Sequence, residues 1–79
     1  MFYVYAIVSL KDGRIYVGLT SDIYKRIKQH NTGSTVSTKP FSPWKLIYSE
    51  ELPDRISARK REKYLKSGTG KEFLKRLLS

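Results

Sequence analysis

No cysteine occurs in the chain. Its absence excludes a disulfide staple, a thiolate zinc site and a thiol nucleophile. It also suits a reducing compartment. No apolar run is long enough to span a membrane. The start, MFYVYAIVSL, lacks the basic residues and small-residue cleavage site of a secretory signal. A cytoplasmic protein with no membrane partner is the expectation. Acidic residues are scarce, seven against sixteen Lys and Arg, for a formal net charge of +9. They are also scattered, which argues against a two-metal carboxylate cluster. The single histidine has no evident nucleophile partner, which argues against a hydrolytic triad. With 79 residues the chain fits one domain, 1–79, and such a domain buries only about 60% of its unfolded surface.

The surplus of positive charge is uneven. From Arg55 to Ser79 there are nine basic and two acidic residues, a net of +7. Basic stretches on small domains most often meet phosphate backbones. The residues that would make such a patch are Arg55, Arg59, Lys60, Arg61, Lys63 and Lys66. The alternative is a solvated helix face.

The pattern along the chain predicts an α+β domain of order ββαβαα, a small three-stranded antiparallel sheet with helices packed on it. FYVYAIV (Phe2–Val8) and RIYVG (Arg14–Gly18) read as strands, with Asp12-Gly13 as the turn between them. Asp22 or Ser21 caps the first helix, whose stripe holds Ile23, Arg26, Ile27 and His30, with Lys25, Lys28 and Gln29 pointing away. Asn31–Pro43 is a Gly, Ser, Thr and Pro-rich loop. WKLIYSE (Trp44–Glu50) reads as the third strand, with Trp44, Leu46 and Tyr48 alternating against polar neighbours. Asp54 caps a second helix with Ala58, Glu62 and Leu65 on one stripe, ended by Gly68. TGKE (Thr69–Glu72) reads as the capping box of a last helix whose apolar face is Phe73, Leu74, Leu77 and Leu78.

Two of these helices aim charge at the side that should be buried, which is costly without a partner. Arg26 and Glu62 forming an internal ion pair is one account, and His30 capping its own helix is another. The hairpin offers a third. Whether its loop has two or four residues, paired positions have an odd index sum, so Tyr5 and Tyr16 share a face. Two phenols, a guanidinium, an imidazole and a carboxylate then converge. That set suits phosphodiester hydrolysis, which needs a proton acceptor, a phosphate clamp and charge stabilisation. Arg26 would clamp the phosphate. Glu62 would hold one Mg²⁺ or Mn²⁺, because Mg²⁺ often takes a single protein carboxylate plus waters and substrate phosphate.

YVYAI followed by IYVG resembles the paired motifs of the GIY-YIG nuclease superfamily, in its short stand-alone bacterial branch. Tyr16 lies eleven positions after Tyr5, and Arg26 lies ten after Tyr16. YKRIKQHN is similar to the family helix, with Arg26 and His30, and ARKREKYLK to the later helix, with its metal-binding glutamate at Glu62. The resemblance implies metal-dependent cleavage of DNA, with RNA open and with a protein partner as a source of specificity. It assigns catalytic positions to Tyr5, Tyr16, Arg26, His30 and Glu62. Tyr16 is the expected deprotonating group, with Tyr5 orienting the water or touching the phosphate. Tyr3 and Val17 stand where the family name has Gly and Ile. The alternative function is a binding module that keeps the scaffold without catalysis.

Overall fold

β-Branched and aromatic residues form β1 (Phe2–Ser9) and β2 (Ile15–Thr20), paired antiparallel. In the computed structural model, which describes residues 1–78, every pair in this ladder sums to 23, as in Tyr5 with Gly18. The loop is therefore the four-residue one, with Ser9 N–H donating to the Arg14 carbonyl at 2.8 Å. Gly13 supplies the left-handed φ of 80° that this turn requires. β3 (Trp44–Leu52) pairs with the other side of β1, giving the order β2-β1-β3.

The helices fall on both faces. α1 (Ile23–Thr32) is capped by Asp22, whose carboxylate accepts the Lys25 N–H at 3.1 Å. It covers the face that carries Tyr5, Ile7 and Tyr16, where Ile23 and Ile27 pack with Trp44. α2 (Arg55–Lys66) is capped by Asp54 and lies with α3 (Gly68–Leu77) on the opposite face. There Ala58, Leu65 and Leu74 are fully buried against Val4, Ala6 and Val17. The order ββαβαα and the three-stranded antiparallel sheet agree with the sequence reading. Among the described residues, no helix is long and apolar enough to cross a membrane.

Three local expectations are corrected. Trp44, Leu46 and Tyr48 do not share one face. Ala6 pairs with Tyr48 but Ile7 pairs with Leu46, so Ile47 is an extra residue in β3. This bulge inverts the alternation. Trp44 therefore joins the Tyr5 face, and Tyr48 packs edge-on against Phe73 on the other. The last helix is not capped by Thr69 and the second does not end at Gly68. Ser67 does both: its hydroxyl donates to the Tyr64 carbonyl at the end of α2 and accepts from the Gly70 N–H at the start of α3. Leu77 and Leu78 remain nearly half exposed, while Phe73 and Leu74 turn inward.

The tight α2–α3 turn depends on Gly70. A Cβ there would overlap the Tyr64 carbonyl oxygen and lie 2.8 Å from the Leu65 carbonyl carbon. Gly68 has open space around it. Gly70→Ala should cost about 1–3 kcal/mol through overpacking, whereas Gly68→Ala should be neutral or slightly stabilising. Thermal denaturation of the two variants side by side checks this, and equal melting temperatures would refute it.

Candidate active site

The site is organised around Tyr5. Gly18 opposes it across the hairpin, and the Tyr5 ring lies over that glycine: a Cβ there would stand 2.6 Å from the ring carbon bearing the hydroxyl. The space of a missing side chain thus lets the phenol run flat across β2. Tyr5 is fully buried, and its hydroxyl lies 2.8 Å from His30 Nε2. The His30 Nδ1 lies 2.8 Å from Thr38 Oγ1. Thr38 Oγ1 in turn donates to the Thr35 carbonyl at 3.3 Å. The Trp44 indole N–H holds the same turn by donating to the Thr38 carbonyl at 2.9 Å. Asn31 fastens the end of α1 to β3, accepting the Trp44 N–H at 2.6 Å.

This chain fixes the imidazole tautomer from both ends. A threonine hydroxyl has one proton. Given to Thr35, it leaves Thr38 Oγ1 to accept, so His30 carries its proton on Nδ1. At the other end the Tyr5 hydroxyl faces Arg26, which can only donate. Tyr5 must therefore give its proton to His30 Nε2. Burial, and secondarily the Arg26 charge, holds the His30 pKa below its ordinary value, so the ring is neutral. Burial pushes the Tyr5 phenol up, partly opposed by Arg26.

Sequence reasoning grouped Tyr5, Tyr16, Arg26, His30 and Glu62, and the first four adjoin one another here. Tyr16 stands edge-on to the His30 ring, with centroids 5.1 Å apart. Arg26 sits against both phenols, the Tyr5 hydroxyl first, and these contacts raise its pKa. Glu62 comes from the helix on the opposite face of the sheet and still acts on Tyr5 electrostatically. The five separate by exposure. Tyr5 and His30 are sealed. Tyr16, Arg26 and Glu62 are each partly exposed. The Tyr5 hydroxyl meets His30 and Arg26 and is closed off from solvent.

Other expectations change as well. Arg26 and Glu62 do not form an internal ion pair. Arg26 donates to Gln29 Oε1 at 3.1 Å, and Glu62 pairs with Lys66 at 3.3 Å. Gln29 therefore does not simply point away, since it steadies the guanidinium. His30 does not cap its helix, because Gly33 closes α1 in the left-handed conformation. Within the basic run, Arg61 donates to Glu50 at 2.8 Å, where Tyr48 also donates at 2.6 Å. Arg61 and Lys66 are thus committed to carboxylates, and Arg55 stands over the Phe2 ring at 5.9 Å. Arg59, Lys60 and Lys63 are exposed around Ile56. Thr38, Asn31 and Gly18 were missed. Only Gly18 had a signal, its cross-strand position opposite Tyr5.

Among the described residues, no three of His, Asp or Glu gather to cage a metal. Glu62, paired with Lys66, is a partly exposed carboxylate whose charge acts on Tyr5. That donor set fits a hard cation completed by waters and substrate oxygens, and does not fit an all-protein cage.

Residues 1–76 match the family model described as the GIY-YIG catalytic domain. A UPF0213 protein of Clostridium perfringens is 39% identical over 80 residues, covering 100% of this chain and 85% of its own length. The UPF0213 protein YazA of Bacillus subtilis is 39% identical over 72 residues, or 90% of this chain and 70% of its own. The solution NMR structure of a UPF0213 protein from Bacillus halodurans matches with a TM-score of 0.57 at 34% identity, covering 98% of this chain and 85% of that one. The names of these relatives state no activity.

His30 is the only histidine, so it dominates titration between about pH 5 and 7. Its folded pKa lies below its unfolded value, near 6.5. The unfolded chain takes the proton first, so stability present above pH 6.5 should fall as pH drops below it, by at most about 1.4 kcal/mol per unit. Denaturant melts from pH 7.5 to 5 should show this slope in the wild type and lose it in His30→Gln. A slope that survives the substitution would remove His30 from this role.

Proposed function

The chain belongs to the GIY-YIG family, and we propose that it is a divalent-metal-dependent endonuclease hydrolysing DNA phosphodiester bonds. The observation that carries this reading is Arg26 set against Tyr16 and Tyr5, partly exposed like Tyr16, over a buried and hydrogen-bonded support, with the charge of Glu62 acting on Tyr5. Membership implies the nuclease superfamily. The substrate, metal and roles below are the proposal.

Arg26, steadied by Gln29 and the Tyr5 hydroxyl, holds a phosphoryl oxygen of the scissile group. Tyr16, having first given its own proton to solvent, takes the proton of the attacking water as the phenolate. The new O–P bond forms as the bond to the leaving oxygen breaks, and that oxygen leaves with a proton from solvent. Glu62 would hold Mg²⁺ or Mn²⁺, whose chemistry when bound is to neutralise developing phosphoryl charge and favour the ionised form of a nearby phenol or water. Tyr5 and His30 are positioning residues: the imidazole accepts from Tyr5 and so turns the phenol's lone pairs toward Arg26.

A second reading, a nucleic-acid-binding module without catalysis, gains from the same geometry. Tyr5 and His30 are core residues with a packing role of their own, so their presence does not depend on catalysis. Tyr16, Arg26 and Glu62 separate the two readings.

Labelled duplex, single-stranded and branched DNA incubated with Mg²⁺ or Mn²⁺ tests this. The wild type should cut in a metal-dependent way. Tyr16→Phe and Glu62→Gln should each lose about 10²–10⁴-fold in rate, with melting temperatures close to wild type because both residues are partly exposed. Cutting retained by Glu62→Gln would overturn the metal assignment. No cutting by the wild type, with salt-sensitive binding intact, would favour the binding module.

A further inference from the structure

A cleft of about 550 Å³ opens where β2 runs into α1 and α2 begins. Arg26 lies on its wall and ties it to the phenol cluster. Lys25 enters from α1 and Arg55 from the first turn of α2. Phe2 and Leu19 give it an apolar wall, with the Arg55 guanidinium beside the Phe2 ring. One carboxylate, Asp22, is present and already accepts the Lys25 N–H as the α1 cap. Three cations against one occupied carboxylate make a place for a singly charged anion with an apolar body.

A nucleotide within a DNA strand has that chemistry: a phosphate with one charge, joined to a sugar with apolar edges. We propose that the cleft seats the nucleotide next to the scissile bond, Lys25 and Arg55 sharing its phosphate while the sugar lies on Phe2 and Leu19. This rests on the hydrolase reading for which phosphate Arg26 holds, but not for binding itself. It also moves the DNA path off the basic face of α2. The hollow lined by Arg59, Lys60, Lys63 and Ile56 is separate and meets the cleft only at Arg55. Two of the six basic residues of that run are engaged with Glu50 and Glu62.

Salt dependence reads phosphate contacts directly, because each neutralised phosphate contributes about 0.7–0.9 to the slope of log affinity against log salt. Fluorescence anisotropy of a labelled DNA oligonucleotide, in EDTA and from 50 to 200 mM salt, measures it. The double variant Lys25→Gln/Arg55→Gln should weaken binding about tenfold and lower the slope by about one, not two, since the pair shares one phosphate. Arg59→Gln/Lys63→Gln should leave the slope within about 0.3 of wild type. All four residues are exposed, so melting temperatures should not move. An unchanged slope in the cleft variant, or an equal loss in the α2-face variant, would overturn the inference, as would wild-type protein that binds no DNA. Because no divalent ion is present, a chain that binds through Lys25 and Arg55 yet never cuts would retain this inference while losing the hydrolase reading.

Discussion

One buried line of hydrogen bonds ties the central strand of this small domain to the elements on its α1 face. Tyr5 on the central strand gives its proton to His30 on α1; His30 gives its own to Thr38; and Trp44 on β3 holds the Thr38 turn from behind. With no disulfide available and a core of modest size, these bonds stitch strand, helix, loop and neighbouring strand into one unit. A neutral imidazole is well suited to the place. It donates on one side and accepts on the other, so both ring nitrogens are satisfied without burying a charge.

Burial divides the polar residues into two layers. The lower layer, Tyr5, His30 and Thr38, is sealed and sets orientation. The upper layer, Tyr16, Arg26 and Glu62, is partly exposed to solvent. Arg26 joins them, since it is steadied by Tyr5 from below and by Gln29 at its side. Glu62 acts on Tyr5 electrostatically from α2, on the opposite face of the sheet, which a pass along the sequence does not reveal.

The hairpin and the helix stripes were legible because they rest on parity and period. Loops of two or four residues differ by an even number, so Tyr5 and Tyr16 share a face whichever forms. The helix caps Asp22 and Asp54 could likewise be read from their chemistry. Features that depend on packing were not legible. The extra residue Ile47 has no mark in WKLIYSE, yet it sends Tyr48 to the other face. Thr38 is one of several hydroxyl residues in its segment, and only the fold brings it to His30. Ser67 won the cap over Thr69 because Gly70 lets α3 press against the end of α2. Arg61 looked like part of a basic run, and only tertiary contact pairs it with Glu50.

Gly18 and Tyr5 also constrain how such a sequence can drift over generations. Any side chain at 18 displaces the phenol ring, so that position can change only after residue 5 has become smaller. The smaller residue would not reach His30, and Nε2 of the buried imidazole would lose its partner. An apparently featureless glycine on an edge strand is therefore locked, through a ring that it never bonds to, to the hydrogen bonding of an imidazole on another element.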